Sequence, residues 1–542
     1  VTATISAPEQ RPALPGRQRR WRIDPVHLAP TAFTLVNAIA FWLVRPDVND
    51  LWAARARASA VSHGVGLTYW FSWFSGGSTP GNYSVLTPYL CAALGTELVA
   101  ALAAVAIVAL VGLLVRGTAH PLAAGWVAAV GAGLNLWSGR VPFLLGTAVA
   151  VGALIALRHR QRAATVGLTL LSMLASPLCG AFLAIGLSGT FLTARTKQWR
   201  PIIAYAVVTA GVALVAVALV FGAPGPEPFA WLVLTEALVG LVLLAFAGAP
   251  DHLRTTIWLS LPATLVLWAV PNGVGANFAR FVLYCLPVAV VALSSRRIGA
   301  VLLLVAPLVG ATVATTTNDL RNAARPVSSV SYYQPLVERL DRIPGLRNHR
   351  VEVVNHGAHA GYDALLGHAM LARGWETQED NALNKALLQD SLDPVTYKLW
   401  LDNNAVGYVA LPSVSVGGYP EYTLVESGAA SYLHLVWRDD DWQLFAVADP
   451  TPIVASPASV SALDQKSMTI KVPCACRIAV RVRWSKFLAA ALQQPDPSGP
   501  GLVDATPAVP AQVADDGTGW TTVTTPRAGT YVLRGSLRGL LH

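Results

Sequence analysis

Two carboxylates three residues apart, Asp47 and Asp50, stand in the segment Arg45-Pro-Asp-Val-Asn-Asp50, just beyond an apolar stretch and ahead of a long aromatic, glycine-rich one. If the segment turns helical, the pair shares one face. Acids at the lip of a lipid-facing cavity suit proton abstraction or metal binding. The plainer role is capping the helix that starts near Leu51, for which Asp50 is the better placed of the two.

The elements that position such a pair must be membrane helices. The 542 residues are 54% hydrophobic and 13% charged, with a mean hydropathy of +0.49, whereas roughly a quarter of the residues in a soluble domain are charged. This predicts a polytopic α-helical membrane protein. Apolar runs are expected as spans near 26–44, 84–115, 121–138, 141–157, 163–178, 179–192, 201–221, 230–248, 256–270, 281–293 and 298–316, about eleven crossings. The stretch 84–115 is long for one crossing, and Gly95-Thr-Glu97 is a natural break in it. The net charge of +9 sits in short inter-span loops and in a basic arm over 1–25, which points to topology rather than to nucleic acid. With the arm cytoplasmic, the clusters at Arg158 to Arg162, Arg195 to Arg200 and Ser294 to Arg297 fall inside. The first span then stays as an anchor rather than a cleaved signal.

That arrangement divides the chain into a membrane body over 26–316 with a first external loop at 45–83, an extracytoplasmic α/β domain over 317–455, and a β-sandwich domain over 456–542. The α/β reading rests on helices at Gln334 to Ile343 and Pro394 to Asn403 alternating with strand runs such as Val351 to Val354, Gly407 to Leu411 and Leu444 to Val447. In the sandwich, Ile478, Val480, Val482 and Trp484 alternate onto one face, and the Pro- and Ala-rich stretch 495–514 reads as an exposed loop. Cys474 and Cys476 leave two readings open, a local disulfide in an oxidising compartment or two separate thiols.

The residues Asp47-Val-Asn-Asp50, Tyr69-Trp-Phe-Ser-Trp-Phe74 and Gly81-Asn-Tyr-Ser-Val-Leu-Thr-Pro88 resemble the first external loop of the GT-C superfamily of integral membrane glycosyltransferases. Ser138 to Phe143, Leu174 to Pro177 and Ala279 to Pro287 look like that architecture's external turns. Leu371 to Gln378 and Trp400 to Pro412 are similar to actinobacterial GT-C-like membrane proteins, loosely of the YfhO type. The resemblance implies a transferase at the outer membrane face, with a polyprenyl-phosphate sugar donor and a glycan or lipid acceptor. It further implies a first-loop acid as the base of an inverting displacement. Asp47, nearer the span end, is the first choice and Asp50 the second. Arg280, and after it Arg140, are expected to hold the donor phosphate. Asn82, Tyr83, Glu236, Arg373, Trp375 and Glu376 are candidate cavity residues, Glu236 because an acid inside a span is a functional candidate by default.

Other readings stand beside these. Arg280 suits an interfacial anchor, and Trp70 to Phe74 an interfacial aromatic belt. Arg373, Trp375 and Glu376 suit fastening the external domain to the membrane body. No metal site is expected at His356, His359 and His368, whose spacing lacks a supporting motif, although a divalent ion at the acidic pair stays open. A transporter or flippase, or a non-catalytic envelope assembly protein, are the alternative functions.

Overall fold

Where water is excluded, backbone polar groups must be satisfied within the segment, so long apolar runs become helices. The computed structural model describes residues 28–193, 198–222, 225–355, 357–414, 419–493 and 509–536. The basic arm, residues 195–197 of the Arg195 to Arg200 cluster, His356 and most of 495–514 lie outside the described residues. The body consists of α1 (Ala29–Val44), α2 (Asn49–Ser62), α3 (Thr87–Leu94), α4 (Thr96–Leu114), α5 (Pro121–Trp137), α6 (Val141–Arg158), α7 (Arg162–Ala175), α8 (Pro177–Thr193), α9 (Arg200–Phe221), α10 (Trp231–Ala245), α11 (Asp251–Ala269), α12 (Leu286–Leu293) and α13 (Ile298–Ala323). Each expected span overlaps at least one of these helices. Among the described residues, five segments are long and apolar enough to cross a membrane: α4, α6, α9, the run Gly275–Leu293 and α13. Their outward faces carry bare aliphatic side chains, such as Leu219 at 73% and Leu303 at 77% exposure, as a surface solvated by lipid would. The long stretch does break at Gly95, whose φ of 92° separates α3 from α4.

Small residues let these helices approach closely. At Gly189, where α8 meets α11, a Cβ would lie 2.1 Å from Thr256 Oγ1. No side chain fits there.

Beyond α13 the chain builds a four-stranded sheet of β1 (Arg350–Val353), β2 (Val406–Pro412), β3 (Leu433–Arg438) and β4 (Trp442–Val447) in the order β1-β2-β4-β3. β1 runs parallel to β2 and the other pairs are antiparallel. The C-terminal region is β-rich: β5 (Ser459–Leu463), β6 (Ser467–Val472), β7 (Arg477–Arg483), β8 (Leu488–Leu492), β9 (Pro510–Asp515), β10 (Trp520–Thr524) and β11 (Gly529–Gly535). They join as one seven-stranded sheet in the order β5-β6-β11-β8-β9-β10-β7, not as two separate layers. Ile478, Val480 and Val482 are buried as their alternation requires, but Trp484 lies past the end of β7 and is 42% exposed. The end of the stretch expected as a loop, from Pro510, is strand β9. Cys474 and Cys476 are disulfide-bonded with Cα atoms 5.4 Å apart. They occupy the turn between β6 and β7, where the backbone bends enough for residues two apart to bridge.

The aromatic run of the first loop is not an interfacial belt. Trp70, Trp73 and Phe74 are fully buried. Trp70 and Trp73 stack at 4.5 Å, and Trp375 stands edge-on to Trp73 at 4.0 Å. Arg350 Nη2 donates to the Ser75 carbonyl at 3.1 Å, and the Tyr69 hydroxyl donates to the Arg483 carbonyl at 2.7 Å. The loop is thus the spine on which both C-terminal sheets are mounted.

Candidate functional site

α2 begins at Asn49, which puts Asp50 in its first turn and leaves Asp47 outside the helix. Asn49 fixes that start. Its Nδ2 donates to the Gly357 carbonyl at 2.9 Å, and its Oδ1 accepts the His359 backbone N–H at 3.1 Å. His359 Nδ1 lies 3.2 Å from the Asn49 carbonyl. Burial holds the His359 ring down at about 4, so it is neutral at physiological pH and donates from Nδ1 to that carbonyl. Asp50 therefore does not cap the helix, since no side chain serves the α2 N-cap.

Arginine reaches Asp50 from two other turns. Gly139, at φ 75°, lets the α5–α6 connection press on α2, where a Cβ would come 2.6 Å from the Leu51 backbone nitrogen. Arg140 follows at once. Its Nε lies 3.5 Å from Asp50 Oδ2 and its Nη2 lies 3.6 Å from Asp319 Oδ2. Its Nη1 donates to the Tyr284 hydroxyl at 2.9 Å and to Asn135 Oδ1 at 3.4 Å. Arg280 Nη2 stands 3.8 Å from the same Asp50 oxygen, with its guanidinium 5.8 Å from the centre of the Phe143 ring. Tyr284 belongs to the π-helical turn Phe281–Cys285 that follows Arg280, a local widening often found at functional sites.

These ion pairs are longer than the 2.7–2.9 Å or so of a closed charge-assisted hydrogen bond. Arg140 is 8% exposed, yet its Nε has no hydrogen-bond acceptor among the described residues. A buried guanidinium donor left over in this way costs free energy until an acceptor arrives. An anion such as a phosphate oxygen would satisfy it.

A second group adjoins the first. Glu376 Oε1 accepts from Arg57 Nη2 and from Asn82 Nδ2, both at 3.0 Å. The Arg57 guanidinium lies 4.6 Å from the Tyr83 ring centre and 4.8 Å from that of Trp375. The Tyr83 side chain is partly exposed. Burial raises its phenol above the ordinary value, with Asp50 and Glu376 adding to the rise and Arg280 and Arg57 opposing it. Glu227, in the α9–α10 connection, is pushed up to about 7 by burial, against Arg280 and with Asp50 and Glu376.

Beneath the arginines lies an apolar cavity of about 780 Å³, within the roughly 300–1,000 Å³ of ligand pockets. Asn135, Phe143 and Tyr284 line it at the Arg140 and Arg280 end, and Arg158 and His252 line it at the other. Its lining on α6 runs from Phe143 to Arg158, a rise of about 22 Å, which is the greater part of the roughly 30 Å of a hydrocarbon core.

The structure thus gathers Asp50, Arg140, Arg280, Asn82, Tyr83, Trp375 and Glu376, and leaves three expected residues outside. Asp47 pairs at 3.8 Å with Arg55, which is held mainly by Glu97 at 2.6 Å. Glu236 sits on α10 with no side-chain partner among the described residues, apart from the cluster. Arg373 is 2% exposed and closes on Asp380 at 2.6 Å, Glu421 at 2.7 Å and Glu352 at 3.6 Å, an internal clamp with nothing left for a glycan. Among the described residues no group of three His, Cys, Asp or Glu side chains is placed to hold a metal ion.

Asp319 and Glu227 were missed by the sequence reading. Placing the end of the last span at 316 put Asp319 in the soluble part, whereas α13 runs on to Ala323 and carries it on the span helix. Glu227 is the one acid of the glycine- and proline-rich connection 222–229, and that singularity was its only signal. No curated protein matches the chain. Residues 455–539, which hold the seven-stranded sheet, match a family described as a domain of unknown function, DUF8823.

Proposed function

We propose that this chain is a membrane glycosyltransferase that passes a sugar, with inversion, from a polyprenyl-phosphate donor to a cell-envelope glycan or lipid. The carrying observation is that Arg140 and Arg280 meet Asp50 only through long ion pairs, with Arg140 Nε lacking a hydrogen-bond acceptor among the described residues, at the mouth of an apolar cavity that runs along most of α6. In this reading Arg140 and Arg280 receive the phosphate, the prenyl tail follows α6, and Tyr83, Trp375 and Glu376 face the sugar side. The body crosses the membrane about eleven times with the N-terminus inside, and the site and both C-terminal sheets lie outside. The Cys474–Cys476 disulfide supports that placement, since such bonds persist in oxidising compartments.

The division of work follows from the solvent. A prenyl tail leaving lipid for the cavity gains little, because lipid is as apolar as the lining. Affinity must then come from the phosphate, and the cavity serves orientation. Arg280→Ala is therefore expected to weaken binding of farnesyl methyl phosphodiester to the purified protein about 10- to 100-fold, the loss of a charged hydrogen bond. Lengthening the tail should change affinity far less. Unchanged binding in the variant would remove the phosphate site.

The same cavity spans the body from Tyr284 to Arg158, which favours a carrier of lipid-linked substrate as the second reading. Movement of labelled prenyl phosphosugar across vesicles without release of prenyl phosphate would select it.

A further inference from the structure

We propose that Glu227 takes the proton from the acceptor hydroxyl, and that Asp50 is a positioning residue for Arg140 and Arg280. This rests on the transferase reading above and departs from the expectation of a first-loop base. Availability separates Glu227 from the other acids of the site. Asp50 lies between two guanidiniums, Asp319 on Arg140, Glu376 on Arg57 and Asn82, and Asp47 on Arg55. Each of these carboxylates is engaged by a cation. Glu227 has no hydrogen bond or ion pair from its carboxyl among the described residues, yet its charge is felt by Arg280, Asp50 and Glu376.

Its position is fixed from both sides. The Glu227 backbone N–H donates to the Asn272 carbonyl at 2.8 Å, and the Pro228 carbonyl accepts from Ala276 at 3.2 Å, so the connection is tied to the loop that ends in Arg280. Asn381 Nδ2 donates to the Pro226 carbonyl at 3.1 Å, tying it to helix Thr377–Leu383 next to Glu376. Gly275, at φ 47°, leaves room for the base of the side chain, since a Cβ there would fall 2.8 Å from Glu227 Cγ. The charged groups facing Glu227 from these elements are Arg280, Asp50 and Glu376, while Gln378 and Asn381 are neutral.

In the step, a Glu227 carboxylate oxygen takes the hydroxyl hydrogen as the acceptor oxygen bonds to the anomeric carbon. The bond from that carbon to the phosphate oxygen breaks, and its electron pair leaves with prenyl phosphate, facing Arg140 and Arg280. A carboxyl lifted to about 7 is matched to this work at neutral pH. The sign follows from linkage. The neutral form is the one the fold favours, so that contribution to stability is complete below the ordinary carboxyl range and is lost as pH rises through about 7.

The test uses the full-length protein and farnesyl methyl phosphodiester, whose single charge is constant across neutral pH. Wild-type binding is expected to weaken on the order of tenfold as pH rises through the Glu227 transition, because the ionised carboxylate repels the phosphate. Glu227→Gln should lose that step and keep the tight, low-pH affinity. Release of prenyl phosphate from a prenyl phosphosugar should rise with pH over the same range in wild type. It should fall about 10²- to 10⁴-fold in Glu227→Gln with KM no higher than that of wild type, and recover in part in Glu227→Asp. A binding step that persists in Glu227→Gln, or unimpaired release by it, overturns the assignment to Glu227 alone. Failure of the wild-type protein to bind the diester at any pH overturns the transferase reading, and the proposal with it.

Discussion

Asp50→Asn is expected to lower the proposed sugar transfer on the order of 100-fold, while Asp47→Asn should leave it within a few-fold of wild type. The difference comes from what each carboxylate holds. Asp50 is shared by Arg140 and Arg280, from two different connections, at 3.5 and 3.8 Å. Removing its charge frees both guanidiniums to turn toward Asp319 and Glu227, and a displacement of about 1 Å at reacting groups costs roughly 10² in rate. The phosphodiester should still bind, since two cations then face it with one fewer competing anion. Asp47 contributes only a partly exposed pair to Arg55, the kind worth about 0–1 kcal/mol. Prenyl phosphate release from prenyl phosphosugars, measured on all three proteins, checks the pair. Equal losses in both variants would mean that the first-loop acids act together and that the geometry at Arg140 does not separate them.

The second large effect is on stability. Arg373→Leu should destabilise the four-stranded sheet region by about 3–5 kcal/mol, the cost of stranding buried charge. Arg373 donates to both oxygens of Asp380 and to Glu421, and Glu352 stands beside them, all buried. Burial already pushes the Glu352 carboxyl well up from its ordinary value, so the clamp balances Arg373 chiefly against Asp380 and Glu421. Lysine retains the charge but not the fork that meets Asp380 twice, and Arg373→Lys should lie between leucine and wild type. Thermal unfolding in detergent followed by near-ultraviolet circular dichroism would show it. A melting temperature unchanged in Arg373→Leu would contradict the clamp.

Much of the architecture was legible because its determinants are local. Apolar runs fixed where helices lie, Gly95 announced a break, and the alternation at Ile478, Val480 and Val482 announced a strand. What was not legible depends on which turns meet. Nothing near Asp50 in the chain says that Arg140 and Arg280 converge on it, because Gly139 and the π-helical turn at Phe281–Cys285 set that approach through tertiary contact. Trp70 to Phe74 carry the composition of an interfacial belt, but the C-terminal region covers them, and composition alone does not distinguish burial by lipid from burial by protein. For the same reason the sequence leaves Arg373 open between reading a glycan and fastening the external domain. Asp380 is near in sequence, but Glu352 and Glu421 arrive from a strand and a helix far away.

The central claim is that a prenyl phosphate docks with its head at Arg140 and Arg280 and its tail along α6. A prenyl phosphodiester carrying a photoactivatable diazirine at the tail end, cross-linked to the protein in nanodiscs and mapped by mass spectrometry, tests it most directly. The account predicts labels on the inner lining, at residues such as Leu187, Ile203 and Val288, and loss of those labels in the Arg140→Ala, Arg280→Ala double variant. Labels confined to the outer faces, at residues such as Leu219 and Leu303, and indifferent to the two arginines would contradict it.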